Sequence, residues 1–296
     1  MKILVLNDSR AGHLNQCLAF AKLLNAEYTV ANVRYPKRFL KALSYLFDKM
    51  GIYSDALFEC TVPDGRFDIV VAAGSTTAYP LKVIARKLGA KSVSMMLPRG
   101  YRYDADVIFA QEHDTPPKAA NIFPIAANFS FVSPSGLFHS STPSIGIVIG
   151  GDNSVFHLSV DRLEKQLQTI TDTFPGYTFA VTTSPRTSKE IETLLERVTF
   201  GYKVIYSSNP INPIPDFLDQ CERVFITQDS TSMISESVSY GSAYIEVLPL
   251  EGEGENKFSR LVKRLEEEGY LHVFDGTFGM ANRKIDFREL LRKAGF

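Results

Sequence analysis

Long apolar runs are missing from this sequence. The longest uninterrupted ones, such as Ile69–Ala73 and Ile145–Ile149, are strand-sized and far short of the roughly 18 residues that a membrane span requires. After Met1 and Lys2 only four apolar residues precede Asn7 and Asp8, fewer than the core of a signal peptide, so no export signal is expected. An excess of either charge is also missing: Lys plus Arg number 32 and Asp plus Glu 33, for a net charge of -1. The chain as a whole therefore sets up no field that gathers nucleic acid, and no nucleic-acid partner is expected. Cysteine is scarce. Cys17, Cys60 and Cys221 are odd in number, widely spaced and set among apolar residues, which excludes a disulfide framework and fits reduced structural thiols in a cytoplasm.

What is present is ordinary globular material. With 45% hydrophobic and 22% charged residues, wholesale disorder is excluded, and 296 residues exceed what one core usually serves, which implies two domains. Strand-like runs alternate with helical patterns: Lys2–Leu6 with Leu14–Leu24, Tyr28–Val33 with Arg38–Lys49, Asp68–Ala72 with Thr76–Leu88, then strands near Ser92–Leu97 and Val107–Phe109. Such alternation predicts a mainly parallel sheet covered by helices. The stretch 131–143, rich in Ser, Pro and Gly, reads as a linker. The alternation then restarts with Ser144–Ile149 and runs through Lys257–Glu268. The expected organisation is a first Rossmann-like domain over 1–130, the linker, a second such domain over 144–280, and a C-terminal helical segment over 281–296 that crosses back onto the first.

In open parallel sheets ligands sit beyond the carboxyl ends of the strands, so the loops that follow strands carry the chemistry. After the first strand come Asn7-Asp8-Ser9-Arg10-Ala11-Gly12-His13. Here Gly12 permits an unusual turn, and His13 either acts as a general base or packs the helix start. Gly150-Gly151, ahead of Asp152-Asn153-Ser154, is either a phosphate-approaching loop or an ordinary tight turn. Ser230, Thr231 and Ser232 open a helix in which Glu236 lies one turn on; they either serve a diphosphate and a ribose or simply cap the helix. Arg186 either grips phosphate or is a solvated surface side chain. Gly74-Ser75-Thr76-Thr77 ranks below these as an acceptor-side loop. Glu112-His113-Asp114 offers metal-ligand types, but no second cluster complements it, so no metal is expected.

These motifs resemble those of the GT-B enzyme that transfers N-acetylglucosamine to lipid II. The likeness lies in Gly12-His13 with Leu18-Ala19, in Val148-Ile149-Gly150-Gly151, and in Val224 to Pro249 with Ser230, Ser232, Glu236 and Gly241. A closer resemblance, across almost the whole chain, is to bacterial relatives of the plant "elongated mitochondria" fission protein. It rests on Ser9-Arg10-Ala11-Gly12-His13-Leu14-Asn15-Gln16, Pro98-Arg99, Glu112-His113-Asp114, Gly150-Gly151, and Asp229-Ser230 with Ser232-Met233 and Glu236. The resemblance implies an α/β, GT-B-like fold of two Rossmann-like domains whose parallel sheets face a central cleft.

It also implies sites. Glu236 would contact a donor ribose, Ser230, Thr231, Ser232 and Gly151 a diphosphate, and Glu255 or Asn256 the donor sugar, with His13 beside the acceptor. The expected partners are a nucleoside-diphosphate sugar and an acceptor, with no separate cofactor. Asp152 departs from the related neutral loop, and its charge must turn away or hold a cation. The activities so implied are metal-independent sugar transfer, an inactive scaffold working through protein or membrane contacts, or nucleotide-sugar epimerisation. Finally, Arg34–Lys49 carries Arg34, Lys37, Arg38, Lys41 and Lys49 against the single acid Asp48, interleaved with Phe39, Leu40, Leu43, Leu46 and Phe47. Such a basic amphipathic segment either rests on the inner membrane face or forms a solvated helix face.

Overall fold

The computed structural model describes residues 1–296 apart from Glu253 and Glu255. The chain forms two compact units, the first Met1–Phe131 with Asp286–Phe296 and the second Val132–Ile285.

The first unit contains β1 (Lys2–Asn7), α1 (Ala11–Leu23), β2 (Glu27–Arg34), α2 (Arg38–Met50), β3 (Glu59–Cys60), β4 (Ile69–Ala72), α3 (Ala78–Leu88), β5 (Lys91–Ser94), β6 (Val107–Gln111) and β7 (Ile122–Ile125). Its sheet runs β3-β2-β1-β4-β5-β6-β7. All neighbours are parallel except β3, which runs antiparallel to β2. β1 lies between β2 and β4, with Ile3 opposite both Tyr28 and Ile69. Helices cover both faces of such a strand, so its middle must be apolar throughout, and Ile3, Leu4, Val5 and Leu6 are all buried.

The second unit contains β8 (Ser144–Ile149), β9 (Phe156–His157), α4 (Val160–Thr173), β10 (Thr178–Thr183), α5 (Lys189–Arg197), β11 (Tyr202–Val204), α6 (Ile214–Gln220), β12 (Arg223–Thr227), α7 (Thr231–Ser237), β13 (Tyr244–Leu248), β14 (Glu251–Gly252), α8 (Lys257–Glu267) and β15 (His272–Val273). Its main sheet is wholly parallel, ordered β11-β10-β8-β12-β13-β15, and a two-stranded antiparallel ribbon joins β9 to β14. The alternation read from the sequence omits α6. Proline at residue 215 hides its pattern, yet it falls in the first turn, where a backbone N–H has no intrahelical partner anyway.

The segment read as a linker belongs to the second unit from Val132 onward. The Ser135 and Gly136 N–H groups donate to the Asp216 carboxylate at 3.1 and 2.7 Å, and Phe138 is buried edge-on against Tyr202 and Phe217. At the other end, the segment read as helical from 281 starts its helix, α9 (Phe287–Lys293), only after Asp286, whose carboxylate accepts from the Arg288 and Glu289 N–H groups. This helix is part of the first unit: Phe287 stacks on Phe129 at 4.6 Å and Phe296 meets Phe20 edge-on at 5.2 Å.

Candidate functional site

In each sheet the strand order reverses beside the first strand of the unit: between β1 and β4 in the first, between β8 and β12 in the second. Loops diverge there to opposite faces and leave a crevice at the carboxyl ends. Of the residues singled out from the sequence, His13 and Gly74 meet at the first of these places, and Gly150, Gly151 and Arg186 meet at the second.

At the β1/β4 reversal, Asp8 follows β1 and His13 lies in the first turn of α1. The His13 Nδ1 is 3.0 Å from Asp8 Oδ2 and 3.2 Å from Oδ1, with the carboxylate fully enclosed and the imidazole reaching solvent at its edge. A carboxylate accepts from Nδ1–H, which leaves Nε2 as the nitrogen able to take a proton. Gly74, after β4, has φ +85°, and a Cβ there would lie 2.3 Å from His13 Cε1. Glycine is needed on both counts: it turns the chain and makes room for the ring. The neighbouring Ser75 and Thr76 hydroxyls each accept from Lys41 Nζ at 3.2 Å. The unusual turn expected at Gly12 falls instead at Ser9, φ 67°. Gly12 is helical, because α1 begins at Ala11, and its carbonyl accepts from Gln16 Nε2.

At the β8/β12 reversal, Gly150 and Gly151 follow β8. Their amides are not turned toward a ligand. Gly150 N–H donates to Thr227 Oγ1 at 2.7 Å and Gly151 N–H to Asp229 Oδ2 at 3.3 Å. The glycines are required by close packing: a Cβ on Gly150 would stand 2.0 Å from Asp229 Oδ1, and one on Gly151 2.0 Å from the Arg186 carbonyl. Asp229 is fully buried, accepts from the Thr227 hydroxyl at 2.7 Å, and is ion-paired with Arg186. The guanidinium of Arg186 stays about half exposed, so some of its five donors remain for another anion. Asp152 turns aside: its carboxylate accepts from Leu158 N–H and pairs with His157 at 2.8 Å.

Ser230 caps α7, its hydroxyl accepting from Met233 N–H. Ser230, Thr231 and Ser232 line the start of that helix, and Glu236 occupies its last turn, partly enclosed. Burial pushes the Glu236 carboxyl up to about 7, and among the described residues nothing donates a hydrogen bond to it. Asn256 is committed to a capping box at α8, accepting from Phe258 and Ser259 N–H while its own N–H donates to Ser259 Oγ. It borders an open depression of about 740 Å³ with Asp152, Asn153, Phe156, His157 and Glu251. Glu255 lies outside the described residues.

Two further segments meet in the first unit. Asp114, in a single turn after β6, pairs with Arg99 at 2.7 Å, joining Pro98-Arg99 to Glu112-His113-Asp114. The cysteines stay protonated: burial pushes Cys60 and Cys221 up to about 11 and Cys17 higher still. Sequence reasoning missed the orienting role of Asp8 and the hub formed by Thr227 and Asp229. An acid five residues before a helix-start histidine was the signal for the first; the second depends on a contact across the sheet.

Two Rossmann-like units of these topologies define a GT-B glycosyltransferase-like scaffold. Solved structures of that class match along the whole chain. MurG of Acinetobacter baumannii is 14% identical over 99% of this chain and 92% of its own, with a TM-score of 0.50. A UDP-glucosyltransferase from Polygonum tinctorium is 14% identical over 98% and 88%, with a TM-score of 0.53, and SnogD from Streptomyces nogalater 13% over 99% and 94%, with 0.50. At such identities the likeness establishes the fold alone. No curated protein matches the sequence. Residues 11–294 match the model of the mitochondrial fission ELM1 family, and the chain belongs to that family. Among the described residues no helix is long and apolar enough to cross a membrane.

Proposed function

We propose that the chain is a glycosyltransferase that moves a sugar, with inversion, from a nucleoside-diphosphate sugar to an acceptor hydroxyl without a metal. The observation that carries this reading is the Asp8–His13 pair at the β1/β4 reversal: a base held by a buried carboxylate, its second nitrogen unbonded among the described residues. In the reaction His13 Nε2 takes the acceptor's proton, the acceptor oxygen bonds to the anomeric carbon, and the nucleoside diphosphate leaves. Asp8 fixes the tautomer and steadies the imidazolium that results.

On the donor side, Ser230, Thr231 and Ser232 with Arg186 serve the diphosphate. Glu236, a carboxylate enclosed without a donor of its own, accepts from the two ribose hydroxyls. The depression beside Asn256 takes the sugar. Gly150 and Gly151 shape this region by packing on Asp229 and Arg186 rather than by offering amides.

Thermal unfolding against a panel of nucleoside diphosphates and their sugar conjugates tests the donor half. At 100 times its dissociation constant a ligand stabilises by about 2.7 kcal/mol, and Glu236→Ala should abolish that gain. His13→Ala should retain nucleotide binding and lose product formation. A second reading, a scaffold that has lost catalysis, is favoured by the occupied amides of Gly150 and Gly151; the absence of any stabilisation across the panel would select it.

A further inference from the structure

Helix α2 is apolar on two sides: Leu40, Leu43 and Phe47 pack on the core of the first unit, and a second apolar set faces outward. Its fully buried residues are Ser44 and Asp48, whereas Phe39, Leu46 and Met50 are 60%, 52% and 64% exposed, and Ile52 beyond its end is exposed as well. The spacing of seven and then four residues places Phe39, Leu46 and Met50 on one stripe, so these three side chains share an outward face. The two buried polar side chains of the helix are satisfied from within. Asp48 accepts from Lys82 Nζ at 2.6 Å and from Arg102 N–H at 2.7 Å, and Ser44 Oγ lies 2.9 Å from the Tyr101 hydroxyl.

Charge follows the same division. From Arg34 to Tyr53 the one acid is Asp48, and it is buried against Lys82. Arg34 is taken by Glu59 and Lys41 by Ser75 and Thr76. That leaves Lys37, Arg38 and Lys49 exposed around the stripe, with Lys37 Nζ 5.9 Å from the Phe39 ring. The exposed charges that α2 itself sets beside this stripe are cations, an arrangement complementary to an anionic bilayer: apolar side chains enter the acyl boundary while the cations stay among the phosphates. A second copy of the helix is a poor occupant, since a two-fold contact would bring the same three cations together.

We propose that α2 docks the chain on anionic phospholipid membranes, lying in the interface without crossing it. On its other side, Lys41 bonds this helix to the Ser75 and Thr76 hydroxyls of the loop that follows β4. The inference stands independently of sugar transfer.

The test uses the full chain with vesicles of phosphatidylglycerol or phosphatidylcholine. The chain should float with the first and not with the second. Replacing Lys37, Arg38 and Lys49 together by Gln should lower partitioning by about 100-fold, at roughly fivefold per cation. Phe39→Ser with Leu46→Ser and Met50→Ser should release it likewise; these side chains are exposed, and unchanged unfolding midpoints verify the fold. The natural chain has no tryptophan, so Phe39→Trp provides a single fluorescent reporter whose emission should shift to the blue on phosphatidylglycerol vesicles. Met280→Trp, 70% exposed on the second unit, should not shift. Flotation that survives both triple variants, an equal shift at Met280→Trp, or self-association through the stripe without vesicle binding would overturn the proposal.

Discussion

The imidazole of His13 occupies the space that a side chain on residue 74 would fill: a Cβ at Gly74 would lie 2.3 Å from its Cε1. Two loops that follow different strands thus determine one ring's position, and Asp8 holds it from the other side.

Gly74→Ala therefore has two effects. The left-handed backbone at this position strains alanine, and the ring must move, so stability should fall by more than about 1 kcal/mol. Asp8→Asn should keep the fold but present the wrong tautomer, lowering sugar transfer by about 100-fold or more. Urea unfolding and a steady-state rate assay separate the two; an Asp8→Asn chain with full activity removes His13 from the chemistry.

The Glu236 carboxyl is pushed up to about 7 from its ordinary 4.5 because it is enclosed. The folded chain then keeps a proton that the unfolded chain releases, so this group favours folding fully below about pH 4.5 and loses that contribution as pH rises through 7. Glu236→Gln should thus stabilise the chain at pH 8 by on the order of 1–3 kcal/mol and leave it unchanged at pH 4. Nucleotide affinity of the unaltered chain should rise from pH 6 to pH 8, as the ionised carboxylate is the better acceptor of ribose hydroxyls. Denaturant titrations and calorimetry at those pH values provide the comparison.

Asp229 is the hub of the second reversal, bound by Thr227, Gly151 and Arg186. Asp229→Ala should cost about 3–5 kcal/mol, since it strands donors in a closed site. Adding Arg186→Met should cost much less than it does alone, because the two share one interaction. Additive losses in a double-mutant cycle would show that the pair is not coupled.

Asp48→Ala should cost about 1–3 kcal/mol, although it lies on a surface helix. It leaves the Arg102 N–H unpaired, while Lys82 keeps Asp104 and the Arg102 carbonyl as partners. Asp48→Asn should be milder because an amide oxygen still accepts. Chemical unfolding of both variants measures the difference.

The strands were legible wherever helices cover both faces, because β1, β4, β8 and β12 are then unbroken apolar runs. β7 was not, since Pro124 breaks the run Ile122–Ile125; the two-residue strands β3, β9, β14 and β15 are too short to show any period. At the candidate site, the positions of His13 and Glu236 were legible because each sits where a strand ends or the following helix turns. The work of Gly150 and Gly151 could not. Whether a glycine makes room for a phosphate or for Asp229, far along the chain, depends on what packs against it, and that is a property of the assembled sheet.

The first unit is discontinuous: it takes its final helix from Asp286–Phe296, after the whole second unit has been traversed. During synthesis, then, the first half of the chain leaves the ribosome with Phe20 and Phe129 still lacking their partners Phe296 and Phe287. The usual order, in which the earlier domain is finished before the later one, is reversed here. The second unit has all its residues before Asp286–Phe296 follow to complete the first.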